Sequence, residues 1–189
     1  GVLSISIGGL AGINQTQLRK LMAFSSLTNL GWTMVILSTS PHMAVLNIIV
    51  YMIMIMPVFF MMQKMMLKTL QDMTTAWASS SLAGIMLTLV FLSLGGLPPL
   101  TGFMPKLLIL NELVMYKLTP ISAMVAILSL INLFFYMRTT YIMTMTSPPM
   151  LINNTMEWRP KPYYNKLTSM LAVMSLTSIL LFPTMVATI

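Results

Sequence analysis

The chain has 189 residues, 57% of them hydrophobic and only 7% charged, with a mean hydropathy of +0.88. Soluble domains carry about 25% charged residues, so this sequence cannot clothe a compact core in a wetted surface, and lipid is its expected solvent. That excludes a soluble enzyme, a disordered tail and a nucleic-acid module, because the bases behind the net charge of +7 are too scattered to form a stripe.

Residues 1–13 are an apolar run with no basic leader and no small-residue cleavage site, so they are no signal peptide. They read as the tail of a helix whose start lies outside the sequence. No Lys, Arg, Asp or Glu occurs from Leu21 to Gln63. One span needs about 20 residues, so this run is a hairpin of two helices, near 21–40 and 43–63, turned at Ser40-Pro41-His42. Segment 64–78 is a short polar connection with Trp77 at the membrane edge. A long apolar region covers 79–116, and a charge-free run from Leu118 to Met137 supplies a further span. Prolines, asparagines and charges crowd 144–166, which makes it a polar connection to a last span at 167–189. The expected fold is an all-α polytopic membrane helix bundle of about six transmembrane segments, one interrupted mid-membrane. Its body is 1–143, followed by the connection and the C-terminal helix.

Region 79–116 is the interrupted one. As a straight helix it would run about 57 Å at 1.5 Å per residue, too long for one span. Gly95-Gly96-Leu97-Pro98-Pro99-Leu100-Thr101-Gly102 cuts it in the middle. Loop charge decides how often it crosses. With a single crossing, Arg19, Lys20, Lys64, Lys68, Arg138, Arg159, Lys161 and Lys166 share one face, and only Lys117 lies on the other. A double crossing destroys that bias. The region is therefore one broken span, and the basic face is the inner one.

Lys106 follows the break within the same region. A lysine in lipid costs about 2.5–3.5 kcal/mol on insertion scales. Desolvation disfavours the charged amine, which suits it to proton exchange. The break at Gly95, Gly96, Pro98, Pro99 and Gly102 frees backbone groups that lipid tolerates only beside protein or water. A base beside a hydrated break is what a proton relay needs. The structural alternatives are that Lys106 snorkels outward or pairs with Glu112, although six residues of separation place the two on different helix faces. Glu112 is a weak candidate for a proton exit and otherwise a solvated helix end. Ser25, Ser26, Thr28 and Asn29 are a candidate polar water path, or else the glue between helices. Asn47 and Asn132, inside apolar helices, are expected to hydrogen-bond across helices. There is no cysteine and a single histidine, His42, so no metal site and no redox centre are expected on this chain.

Two strings carry a resemblance. Gly12-Ile13-Asn14-Gln15-Thr16-Gln17-Leu18-Arg19-Lys20, continuing through Ala23-Phe24-Ser25-Ser26 to Gly31-Trp32, and Leu92-Ser93-Leu94-Gly95-Gly96-Leu97-Pro98-Pro99-Leu100-Thr101-Gly102-Phe103-Met104-Pro105-Lys106, resemble the subunit 2 family of mitochondrial NADH:ubiquinone oxidoreductase, respiratory complex I. The resemblance implies the carboxyl-terminal helices of an antiporter-like, proton-pumping subunit, with Lys106 on its proton-transfer axis. It implies other membrane subunits of complex I and the lipid bilayer as partners, with no nucleic acid. It also implies the mitochondrial inner membrane as location, with the basic loops facing the matrix. NADH, flavin, iron–sulfur clusters and ubiquinone are implied for the complex, with none on this chain. The 23 methionines suit a mitochondrial genome, whose code in many animals reads an isoleucine codon as Met. Three departures stand out. The glutamate and two lysines of the family's first half are absent from this sequence. Asn29 stands where the family commonly has histidine, and Phe24 replaces a usual tyrosine. A free-standing cation/proton antiporter and a purely structural membrane subunit are the alternative functions.

Overall fold

The computed structural model describes residues 1–73, 81–145, 170, 173–175 and 177. Its helices are α1 (Val2–Ile13), α2 (Leu18–Ile36), α3 (Pro41–Lys64), α4 (Ser81–Gly95), α5 (Phe103–Met115) and α6 (Thr119–Met145). Helices α3 and α6, of 24 and 27 residues, are each long and apolar enough to cross a bilayer. Pro41 opens α3 in the first turn, where a missing N–H does no harm. Apolar side chains cover the outside of the bundle, among them Leu3, Met34, Ile49, Leu130 and Phe134. Such a surface needs lipid around it. Most of the expected last span at 167–189 and nearly all of the 144–166 connection lie outside the described residues; of that span Met170, Val173, Met174, Ser175 and Thr177 are described, and they are helical.

Helix α1 lies against α2 and α6, α4 lies against α3 and α6, and α2 packs on α3. The α1–α2 crossing is close because glycines face it. A Cβ on Gly31 would lie 2.5 Å from Ile5 Cγ1, 2.5 Å from Ser4 Oγ and 2.9 Å from the Gly1 carbonyl oxygen. Small residues let backbones approach this way in membranes. Gly31→Ala should lower stability by about 1–3 kcal/mol through overpacking. The thermal unfolding midpoint of the purified assembly reads this, and an unchanged midpoint would show that the crossing opens without cost.

Contacts at one end of the bundle fix the topology of the broken region. Leu18 N–H donates to Lys68 O and Leu70 N–H to Thr16 O, so the loop before α2 pairs with the loop after α3. Arg138 Nη1 donates to Ile13 O, the last carbonyl of α1. Arg19, Lys20, Lys64, Lys68 and Arg138 therefore share one end. Helix α6 then carries its first residues, and Lys117 before them, to the other end, so α4 and α5 together cross once. Arg138 itself corrects the sequence reading. It is not a loop charge after a span ending at Met137, because α6 continues to Met145 and the guanidinium caps α1 from within it. A cation suits that helix end, where unpaired carbonyls carry partial negative charge.

The loop after α3 carries its own cap. Asp72 Oδ2 accepts the N–H groups of Thr69 (2.7 Å) and Lys68 (3.0 Å), while Asp72 N–H donates to Thr69 Oγ1 at 3.3 Å. This is a reciprocal capping box. The Thr69 amide, with that of Lys68 behind it, holds the Asp72 carboxyl below its ordinary range. The cap is therefore intact above the usual carboxylate range and weakens as pH falls through the lowered value.

Candidate functional site

Helices α4 and α5 span about 22 and 20 Å at 1.5 Å per residue, each short of the roughly 30 Å hydrocarbon core. The join between them therefore sits at membrane depth. Helix α4 stops at Gly95 because Gly96 turns left-handed, with φ +85°. Gly96 N–H reaches Ser93 O at 3.0 Å, and Leu97 N–H reaches Leu92 O at 3.4 Å. This is the Schellman pattern, which satisfies two of the four carbonyls that a helix end leaves unpaired.

The two others belong to Leu94 and Gly95, and Lys106 supplies their partner. Its Nζ donates to Gly95 O at 2.9 Å and lies 3.5 Å from Leu94 O. The amine thus reaches back from the first turn of α5, across the break, onto the carboxyl-terminal end of α4. The dipole there favours a cation. Close approach holds the two half-helices together at this point. A Cβ on Gly96 would come within 2.9 Å of Lys106 Nζ, and one on Gly102 within 1.8 Å of Ser93 O. Pro98 and Pro99 lie in the turn between them. Thr101, buried in the break, donates its hydroxyl to Ser175 O at 2.9 Å, with Met54 Sδ at 3.2 Å on the same oxygen.

The other sequence candidates fall in different places. Glu112 is half-buried further along α5, and among the described residues its carboxylate has neither an ion pair nor a hydrogen bond. Lys106 is not directed at it. Ser25, Ser26 and Thr28 turn their hydroxyls onto carbonyls of their own helix, at Met22, Ala23 and Ser25, and Asn29 Nδ2 donates to Ser25 O. Ser26 and Asn29 line a cleft of about 180 Å³ with Thr33, Asn47 and Tyr51, while Ser25 and Thr28 are buried. Asn47 and Asn132 depart from expectation. Asn47 Nδ2 and Asn132 Oδ1 are buried with no hydrogen-bond partner among the described residues. Gly9 on α1 leaves room for the Asn132 oxygen, since a Cβ there would lie 2.8 Å from it.

Two tyrosines escaped the sequence reading. Tyr136 on α6 packs beside the break, with its Cβ 3.3 Å from where a Gly95 Cβ would stand, and its ring lies 4.3 Å from that of Phe135. Its hydroxyl and that of Tyr51 on α3 lie near Ser25. Both hydroxyls are buried, and neither reaches hydrogen-bond geometry with a partner among the described residues. The available signal was a phenol inside an otherwise apolar helix.

The family model described as NADH:quinone oxidoreductase/Mrp antiporter, TM, matches residues 1–132. The chain belongs to this family. A second model, the NADH dehydrogenase subunit 2 C-terminus, matches residues 133–188. The NADH-ubiquinone oxidoreductase chain 2 of Varanus melinus is 46% identical over 183 residues, covering 97% of this chain and 52% of that protein. The chain 2 of Latimeria chalumnae is 43% identical over 188 residues, covering 99% and 54%. The chain thus spans about half the length of the curated relatives it matches. Among solved structures, a chain of respiratory complex I from Thermus thermophilus with bound aureothin aligns at TM-score 0.69 and 18% identity, over 94% of this chain and 43% of that one. A chain of the Mrp complex from Dietzia aligns at TM-score 0.63 and 16% identity, over 74% and 28%. At these identities the likeness speaks for the antiporter-type membrane fold alone, and it agrees with the all-α bundle read from the sequence.

Proposed function

We propose that this chain is a proton-translocating membrane subunit of an NADH:ubiquinone oxidoreductase in the mitochondrial inner membrane, and that Lys106 is the group that takes up and releases the proton. The family match and the names of its relatives support the setting. The observation that carries the role is the Lys106 amine, seated on the Leu94 and Gly95 carbonyls at a helix break of membrane depth. A neutral amine keeps two N–H donors and an ammonium has three. Both forms can hold both carbonyls, so protonation need not unseat the side chain. In the neutral form the lone pair turns away from the carbonyls, toward whatever delivers the proton. The seat is thus compatible with either charge state, which a shuttling base requires.

The basic end of the bundle faces the matrix in this reading, following the positive-inside rule. Residues 1–143 form the antiporter-like body, 144–166 a matrix-side connection, and 167–189 the closing span. The other membrane subunits of the complex and the bilayer are its partners. The sequence has no cysteine, and no three His, Cys, Asp or Glu residues gather among the described residues. The donors present do not fit a metal or iron–sulfur centre. NADH, flavin, iron–sulfur clusters and ubiquinone belong to the rest of such a complex.

Lys106→Met tests the reading. The complex should still assemble, while protons moved per NADH oxidised in sealed vesicles fall at least about tenfold. Wild-type coupling in an assembled Lys106→Met complex would refute it.

A further inference from the structure

A cleft of about 290 Å³ opens at the basic end of the bundle, between the start of α2 and the end of α3. Its polar wall is Arg19, Gln63 and Lys68, and its apolar wall is Phe59, Met62, Met66 and Leu67. We propose that it binds one anionic phospholipid, with the phosphate between the two cations and an acyl chain along the apolar wall. The proposal is independent of the role given to Lys106.

Four observations support this occupant. First, the cleft sits where the apolar span of α3 ends, which is headgroup depth in a bilayer, and its cations lie just beyond. Basic pockets between helices at that depth suit anionic headgroups. Second, Phe59 is 47% and Met66 72% exposed. A free phosphate would gain nothing from that wall, whereas an acyl chain would cover it. Third, cations outnumber acids at this end. Asp72 is the acid here among the described residues; it accepts the amides of Lys68 and Thr69 and offsets part of the Lys68 charge, while Arg19 and the adjacent Lys20 carry the same sign. Fourth, Arg19 is the second residue of α2, and Gln17 at that end makes no side-chain cap. The positive end of the helix dipole therefore adds to the positive charge at this end. The geometry is also held in place. The pairing of Leu18 and Leu70 with the facing loops fixes Arg19 against Lys68, and Met66 is held in a left-handed turn at φ 55°.

The test uses the intact membrane assembly in detergent, with phosphatidylglycerol carrying a photoreactive acyl chain as the probe. Label should fall on the peptide spanning residues 59–68. It should be displaced by unlabelled phosphatidylglycerol, and by neither phosphatidylcholine nor inorganic phosphate. Arg19→Gln and Lys68→Gln should each lower labelling about fivefold, and the double variant about 25-fold, while Lys117→Gln at the other end leaves it unchanged. The charge-keeping pair Arg19→Lys with Lys68→Arg should retain most of the label. Equal competition by phosphatidylcholine would mean an ordinary boundary lipid, and competition by phosphate alone would mean a bare anion site. Either result overturns the proposal. So does undiminished labelling in the double variant. If the double variant fails to assemble, the competition arms on the wild-type assembly decide.

Discussion

A complex carrying Lys106→Arg should assemble as the wild type does and yet lose proton translocation by about a hundredfold. The amine combines two tasks. It satisfies the Leu94 and Gly95 carbonyls at the end of α4, which is a structural task, and it is proposed to exchange a proton, which is a chemical one. Lys106→Met removes both at once, so its loss of function alone cannot separate them. Arginine separates them. Its guanidinium brings five N–H donors and a permanent charge to the same carbonyls, so the cap survives. What it cannot do is release a proton in the working pH range. A purely capping lysine predicts that arginine rescues, and a relay predicts that it does not. Assembly is read from the yield and thermal midpoint of the complex, and transport from the proton-to-electron ratio in vesicles. Substantial coupling in the arginine variant would reduce Lys106 to a helix cap and end the relay.

The sequence and the structure agree where composition and chain length were enough to decide. The charge-free run from Leu21 to Gln63 exceeded one span, and it is two helices, with Pro41 opening the second. The Gly/Pro cluster broke its region as expected, because nothing in lipid but a helix terminus or a shielded turn accepts those backbone groups. Other features depended on contacts across the fold. The seat of Lys106 is made by residues 11 and 12 positions earlier in the chain, facing it only after the break folds back. Arg138 looked like the end of a span because a charge in lipid is costly. Its partner is the end of α1, more than a hundred residues away. The polar run of α2 was legible as polar but not as inward-bonded. Serines and threonines in helices readily return their hydroxyls to the preceding turn, and Ser25, Ser26 and Thr28 do so.

The second large effect is expected at Gly102. Its backbone is ordinary, with φ −68° and ψ −13°, so the residue is not there for conformational freedom. It is there because α5 begins against the last turn of α4. An added Cβ would stand 1.8 Å from Ser93 O and 2.9 Å from Ser93 C. Both are backbone atoms, and that oxygen already accepts Gly96 N–H in the turn that ends the helix. No rotamer change relieves such a clash. The half-helices must separate by more than an ångström, and Lys106, four residues along α5, moves with them. We expect Gly102→Ala to destabilise the chain by more than about 3 kcal/mol, and any complex that still assembles to lose about a hundredfold in translocation, since misplacing a reacting group by an ångström has that order of effect. Gly95→Ala is the control. Its Cβ would meet Tyr136 Cβ at 3.3 Å, a contact relieved when α6 gives by a few tenths of an ångström, so its effect should be about 1 kcal/mol, at the low end of overpacking costs. The assembled fraction and thermal midpoint of the two variants decide. If Gly102→Ala proves no worse than Gly95→Ala, the half-helices are not in contact as described, and the seat of the Lys106 amine must be built in some other way.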